Sequence, residues 1–304
     1  VNRRAWLLFL LVSVLWGIPY FLIKIAIDDM SPVFVVWGRV FIAALVLIPV
    51  AATRGTLRRL RGRLGTIAIL GVVHIVVPFT LITYGETHIS SSLTGLLIAV
   101  EPVVIALLLI RTEPLSRVRI AGLVVGFAGV AVLVGLDVSG DKYGLLGAAM
   151  VLAAAVSYGV ATILVQRKAA DIPPEALAGG TTTVATVVLL PFALFNLPDA
   201  GKVGANGWAS LVALGVLCTA VALLAFYGLI ALAGSNKAGL VTYMNPVVAV
   251  LLGVLVLDES VGVSTIAGFL LVLAGCWLST RPERPRRAAG ELVAAAPGRL
   301  TPGG

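Results

Sequence analysis

The sequence predicts an all-α integral membrane protein of ten transmembrane helices, built as two inverted five-helix repeats. Three observations carry this reading. The 304 residues are 60% hydrophobic and only 12% charged, with a mean hydropathy of +1.08, so polar side chains are too few to cover a water-exposed surface. Ten apolar runs approach the roughly 20 residues that span a bilayer. The basic residues gather on alternate connections, as the positive-inside rule requires.

The runs lie at 5–27, 33–52, 65–84, 93–110 and 118–136, then at 143–165, 176–196, 207–232, 238–257 and 262–280. The first follows Arg3 and Arg4 as a signal peptide would, but it is too long and has no small-x-small site before Asp28, so it is expected to remain as a helix. Of the 22 Lys and Arg, 18 fall on connections of one face, only Lys142 and Lys202 on the other, and Lys24 and Arg39 inside helices. Both termini are therefore expected in the cytoplasm. The net charge of +8 describes topology here and not a nucleic-acid face. Beyond Thr280 the chain turns to Pro, Arg, Ala and Gly, which predicts a disordered cytoplasmic tail over 281–304.

The two halves, 1–141 and 142–280, match each other in order. At an offset of 142, Trp16 and Gly17 fall on Tyr158 and Gly159, Pro32 on Pro174, Gly38 on Gly180 and Pro49 on Pro191. At 144, Gly95 falls on Gly239 and Pro102 on Pro246; at 146, Gly122 falls on Gly268 and Gly129 on Gly275. Five helices per half is an odd number, so the second half enters the membrane from the opposite side. Inverted repeats of this kind suit alternating access around a midplane site.

Enzyme chemistry finds no foothold. Cys218 and Cys276 lie in apolar runs and read as small buried residues, His74 and His88 make no ligand pair, and no nucleophile-elbow or phosphate-loop pattern occurs. No cofactor and no metal are implied.

Trp16-Gly17, Arg39, Gly95 to Pro102, Glu113 and Gly122, repeated as Gly239 to Pro246, Glu259 and Gly268, resemble the drug/metabolite transporter superfamily, specifically its EamA-like exporters with two five-helix domains. The resemblance covers residues 5–280. It implies a ten-helix monomer in a bacterial inner membrane, with the lipid bilayer and a small-molecule substrate as partners. It implies export of an amino acid or related metabolite. A multidrug or cation exporter is the alternative within transport, and a membrane sensor or enzyme the alternative outside it. Glu101, directly before Pro102, departs from the family pattern.

The candidate substrate residues follow from charge and spacing. Trp16, Tyr20 and Lys24 recur every fourth residue and would form one stripe; Tyr158 and Thr162 are repeat counterparts. Lys24, Arg39 and Glu101 are charges inside helices, about 5, 9 and 12 Å from the outer helix ends at 1.5 Å per residue. Such charges need water or partners. Their excess of positive charge favours a substrate carboxylate at Arg39, with Glu101 meeting an amino group or a proton. A structural Arg39–Glu101 bridge is the competing reading. Asn245, the counterpart of Glu101, completes the set. Pro102 and Pro246 each remove a helical hydrogen bond and are expected as paired hinges.

Overall fold

The computed structural model describes residues 3–110, 116–137, 143–233 and 241–279. Glu113, Gly239 and the expected tail 281–304 lie outside them. Every regular element among the described residues is helical.

Each apolar run coincides with helix. α1 (Arg3–Gly17) and α2 (Pro19–Asp29) make one span, interrupted at Ile18 beside Pro19, whose ring nitrogen has no proton to donate. α3 (Pro32–Thr53) starts where the Ser31 hydroxyl accepts from the Phe34 amide. α4 (Leu64–Leu70) and α5 (Val77–Gly85) are joined by a wider π turn over Gly71–Val76. α6 (Ser91–Ile98) and α7 (Glu101–Leu108) are separated at Ala99 and Val100, and α8 (Arg117–Asp137) follows. The second half has α9 (Gly144–Lys168), α10 (Pro174–Leu194), and α11 (Ala205–Gly215) joined to α12 (Ala222–Ala233) by a π turn over Val216–Val221. α13 (Val241–Val256) and α14 (Val263–Ser279) complete it. Among the described residues eight helical segments are long and apolar enough to cross a membrane, and α13 and α14 are shorter apolar helices.

Pairing between the halves builds the bundle. α3 lies along α10, α8 along α14 and α6 against α13, while α1 contacts α12 and α13, and α9 contacts α5, α6 and α7. Small residues set the closest approaches. A β-carbon on Gly129 would fall 2.6 Å from the Val272 nitrogen, and one on Gly122 would fall 2.9 Å from the Gly275 carbonyl. The small-residue stripe of α8 is thus used for packing on α14 within the chain. Leu45, Phe192, Phe195, Leu255 and Val263 are exposed on the outside, as a lipid-covered surface requires.

The links cluster at two ends. At one end, Arg63 pairs with Asp171 at 2.8 Å and donates to the Lys168 carbonyl at 3.1 Å, joining links 54–63 and 169–173. At the other, Ser31 donates to the Asn196 carbonyl at 3.1 Å, and the Gly204 amide donates to Asp29 at 3.0 Å. The 86–90 and 257–262 links belong to this second end, tied through Lys24 and Glu259.

Candidate functional site

Arg39 is buried in mid-helix. Its Nε donates to Thr219 Oγ1 at 2.8 Å, and its guanidinium carbon sits 4.1 Å from the centre of the Phe79 ring. A cation over an aromatic face is stabilised by the ring quadrupole, more so away from water. Thr219 belongs to the second π turn, and its hydroxyl donates onward to the Leu214 carbonyl at 2.8 Å. The turn therefore aims a hydroxyl at Arg39 that a regular helix would direct elsewhere.

Glu101 begins α7, immediately after the break, and accepts from the Thr162 hydroxyl at 3.2 Å. Its side chain is half-buried. The Arg39–Glu101 ion pair is absent: the two charges have separate partners. Tyr20 and Tyr158 pack in one cluster, near both Arg39 and Glu101. Tyr158 also meets His74 edge-on, ring centres 5.9 Å apart. Its neighbour Ser157 donates to the Val73 carbonyl at 2.6 Å, serving the first π turn.

The stripe expected along the first span divides. Trp16 packs on Phe226 at 4.7 Å, while Tyr20 joins Tyr158 in another apolar cluster. Lys24 does not extend freely to the interface. Its Nζ donates to the carbonyls of Glu86 at 2.7 Å and Ile89 at 3.3 Å, tying α2 to the 86–90 link. Asn245 carries a buried Oδ1 with no protein donor, and its carbonyl lies against Gly17.

The two prolines are not equivalent in this structure. Pro102 sits at a true break, where the Ala99 carbonyl accepts from Cys276 Sγ at 3.2 Å and the Val100 carbonyl serves Val103 and Val104. Pro246 lies inside a continuous α13. α13 packs on α6 and α1 along this stretch.

Three groups escaped the sequence reading. Thr219 looked like any small polar residue of an apolar run. Glu86 was placed in a polar link, yet it is fully buried and neither carboxylate oxygen has a protein partner. Glu259 was singled out only as part of a motif. It accepts from the Ser91 amide at 2.8 Å, the Ser92 amide at 2.9 Å and the Ser92 hydroxyl at 2.5 Å, so it clasps the start of α6 from the 257–262 link. A shallow groove along α11, lined by Trp208, Val212, Val216 and Leu217 among others, is apolar and shares no residue with these groups.

Comparison with known proteins agrees with this picture. The profile of the EamA-like transporter family matches residues 3–135 and again 145–281. An uncharacterized transporter of Bacillus subtilis (strain 168) is 25% identical over 296 residues, covering 95% of each chain. A probable terminal-alkyne amino-acid exporter of Streptantibioticus cattleyicolor is 28% identical over 290 residues, covering 94% of this chain and 96% of its own. A solved crystal structure at 22% identity superposes with a TM-score of 0.64 over 92% of this chain and 97% of its own, and so shares the fold. With the profile met twice across almost the whole bundle, and with relatives named as transporters and not enzymes, the chain belongs to the EamA-like transporter family.

Proposed function

We propose that this transporter exports an amino acid or a close relative by alternating access, and that Arg39 and Glu101 hold the two ends of the substrate. The observation that carries the reading is their separation. A buried cation and a carboxylate, each with its own side-chain hydrogen-bond partner and two tyrosines near both, match the opposite charges of a zwitterion. The exporter from Streptantibioticus cattleyicolor is a relative of the same kind. Thr162, bonded to Glu101, borders this site, which needs no cofactor, and the chain works as a monomer in the bacterial inner membrane. A multidrug or cation exporter is the poorer reading, because Arg39, buried against Thr219 and Phe79, repels cations.

Alternating access is supported by contacts that map onto one another when the halves are exchanged. Gly122 against Gly275 becomes Gly268 against Gly129 at the offset of 146. Gly17 against Val248 becomes Gly159 against Val104, and Gly71 against Thr181 and Val184 becomes Gly215 against Arg39 and Ile42. Two halves with one set of contacts and opposite membrane orientation can exchange conformations at little net cost. In this reading, residues 1–141 and 142–280 are the two repeats. The basic end, with links 54–63 and 169–173, is cytoplasmic, and the end held by Lys24 and Glu259 is the outer end, closed in this structure.

Export is tested in proteoliposomes loaded with radiolabelled amino acids. Saturable efflux that unlabelled amino acids inhibit supports the reading, whereas competition by cationic dyes and not by zwitterions overturns it. Orientation has its own expected result: a cysteine at Thr56 stays shielded from impermeant maleimide in intact cells, and one at Asp199 is labelled. The difference between the prolines gives another. Pro102→Ala, by restoring a hydrogen bond at the break, is expected to slow efflux several-fold, and Pro246→Ala to slow it less, at matched levels of reconstituted protein.

A further inference from the structure

Glu86 has an arrangement that the site described above does not use. It lies just beyond the third span, at the outer end, and is fully buried with neither oxygen hydrogen-bonded to protein. The nearest cation, Lys24, could have neutralised it but is directed to backbone carbonyls, including that of Glu86 itself. Glu259, another acid at this end, differs in kind: three donors converge on it.

We infer that Glu86 is a proton-binding site, and that the outer end closes only when Glu86 carries its proton. An ionised carboxylate without donors in a closed protein interior costs several kcal/mol, whereas the neutral acid does not. Opening the outer end admits water and removes that cost. The groups facing Glu86 sharpen the effect: Lys24 and Tyr20 from α2, Arg39 from α3, and Glu259 from the 257–262 link. On its own side stand Tyr84 and His88, the latter stacked on Tyr143 at 5.7 Å. Burial holds the carboxyl well above the usual carboxylate range, Glu259 pushes the same way, and Lys24 and Arg39 pull it down. The closed state therefore binds one proton more than the open state. Closure is fully favoured below the ordinary carboxylate value of the open state, and this advantage is lost as pH rises from there through the raised value of the closed state. Transport would then draw on a proton, with Glu86 as its carrier and Arg39 and Glu101 left to the substrate.

The inference rests on alternating access, and the experiment separates the two. Spin labels on Thr87 and Ser260, both exposed at the outer end, report the distance between the 86–90 and 257–262 links in the full chain in nanodiscs. The short-distance population should dominate at low pH, and its ratio to the long-distance population should fall by up to tenfold per pH unit, the limit for one proton. Glu86→Gln should keep the short distance at every pH, and Glu259→Gln should keep the pH dependence. A native ratio that responds to an added amino acid but not to pH overturns the proton site and leaves alternating access standing. An unchanged pH dependence in Glu86→Gln also overturns it. One distance under every condition overturns both.

Discussion

Arg39→Gln is expected to lower zwitterion efflux by about 100-fold or more while the protein still inserts and purifies as a folded monomer. A buried, hydrogen-bonded charge that meets a charged ligand contributes about 2–5 kcal/mol when its partner is lost, and each 1.4 kcal/mol is tenfold. Folding should tolerate the change because no carboxylate is left alone by it: among the described residues Arg39 has Thr219 and Phe79 as partners, not an acid. Arg39→Lys should recover little, since a lysine cannot place a flat guanidinium over Phe79 while donating from Nε to Thr219. Efflux assays with melting curves of the same preparations check both halves of the expectation.

Glu259→Ala should loosen the outer end. It leaves three donors at the start of α6 without their acceptor. At about 1–3 kcal/mol for each buried group left unsatisfied, with water recovering part of this on opening, the closed state loses on the order of 100-fold against the open one. Hydrogen exchange followed by mass spectrometry should show the amides of Ser91 and Ser92 exchanging about 100-fold faster, while α8 and α14, packed glycine to backbone, keep their protection. Unchanged exchange at Ser91 and Ser92 would mean that the Glu259 contacts carry no closing energy.

Much of the bundle was legible because lipid allows so few solutions: an apolar run of span length has to be helical, and among the described residues eight helices of span length and two shorter apolar ones lie on these runs. Arg39 and Glu101 were legible for the same reason, as charges where charges are costly. What sequence spacing could not carry was direction. Trp16, Tyr20 and Lys24 follow one another at helical spacing, yet each meets a different neighbour: Phe226, Tyr158 and the carbonyls of the 86–90 link. The π turns at Gly71–Val76 and Val216–Val221 leave no mark in an apolar run, so Thr219 could not be matched to Arg39, 180 residues away. Glu86 was hidden by its setting. A carboxylate in a polar link ordinarily meets water, and it is buried here only because Lys24 and the Glu259 clasp draw the links together. Glu259 itself is near no unusual pattern, and its partners stand 167 and 168 residues earlier.

The central claim is that Arg39 and Glu101 serve a substrate and not each other. The most direct measurement is amino-acid efflux from proteoliposomes carrying Arg39→Gln, Glu101→Gln and the double variant, each shown to be folded. If the two charges formed a structural pair, each single change would strand the other, and removing both would restore function. The structure places them with separate partners, so both single variants should be impaired and the double variant should remain inactive. Near-normal efflux from a well-folded double variant would contradict the account.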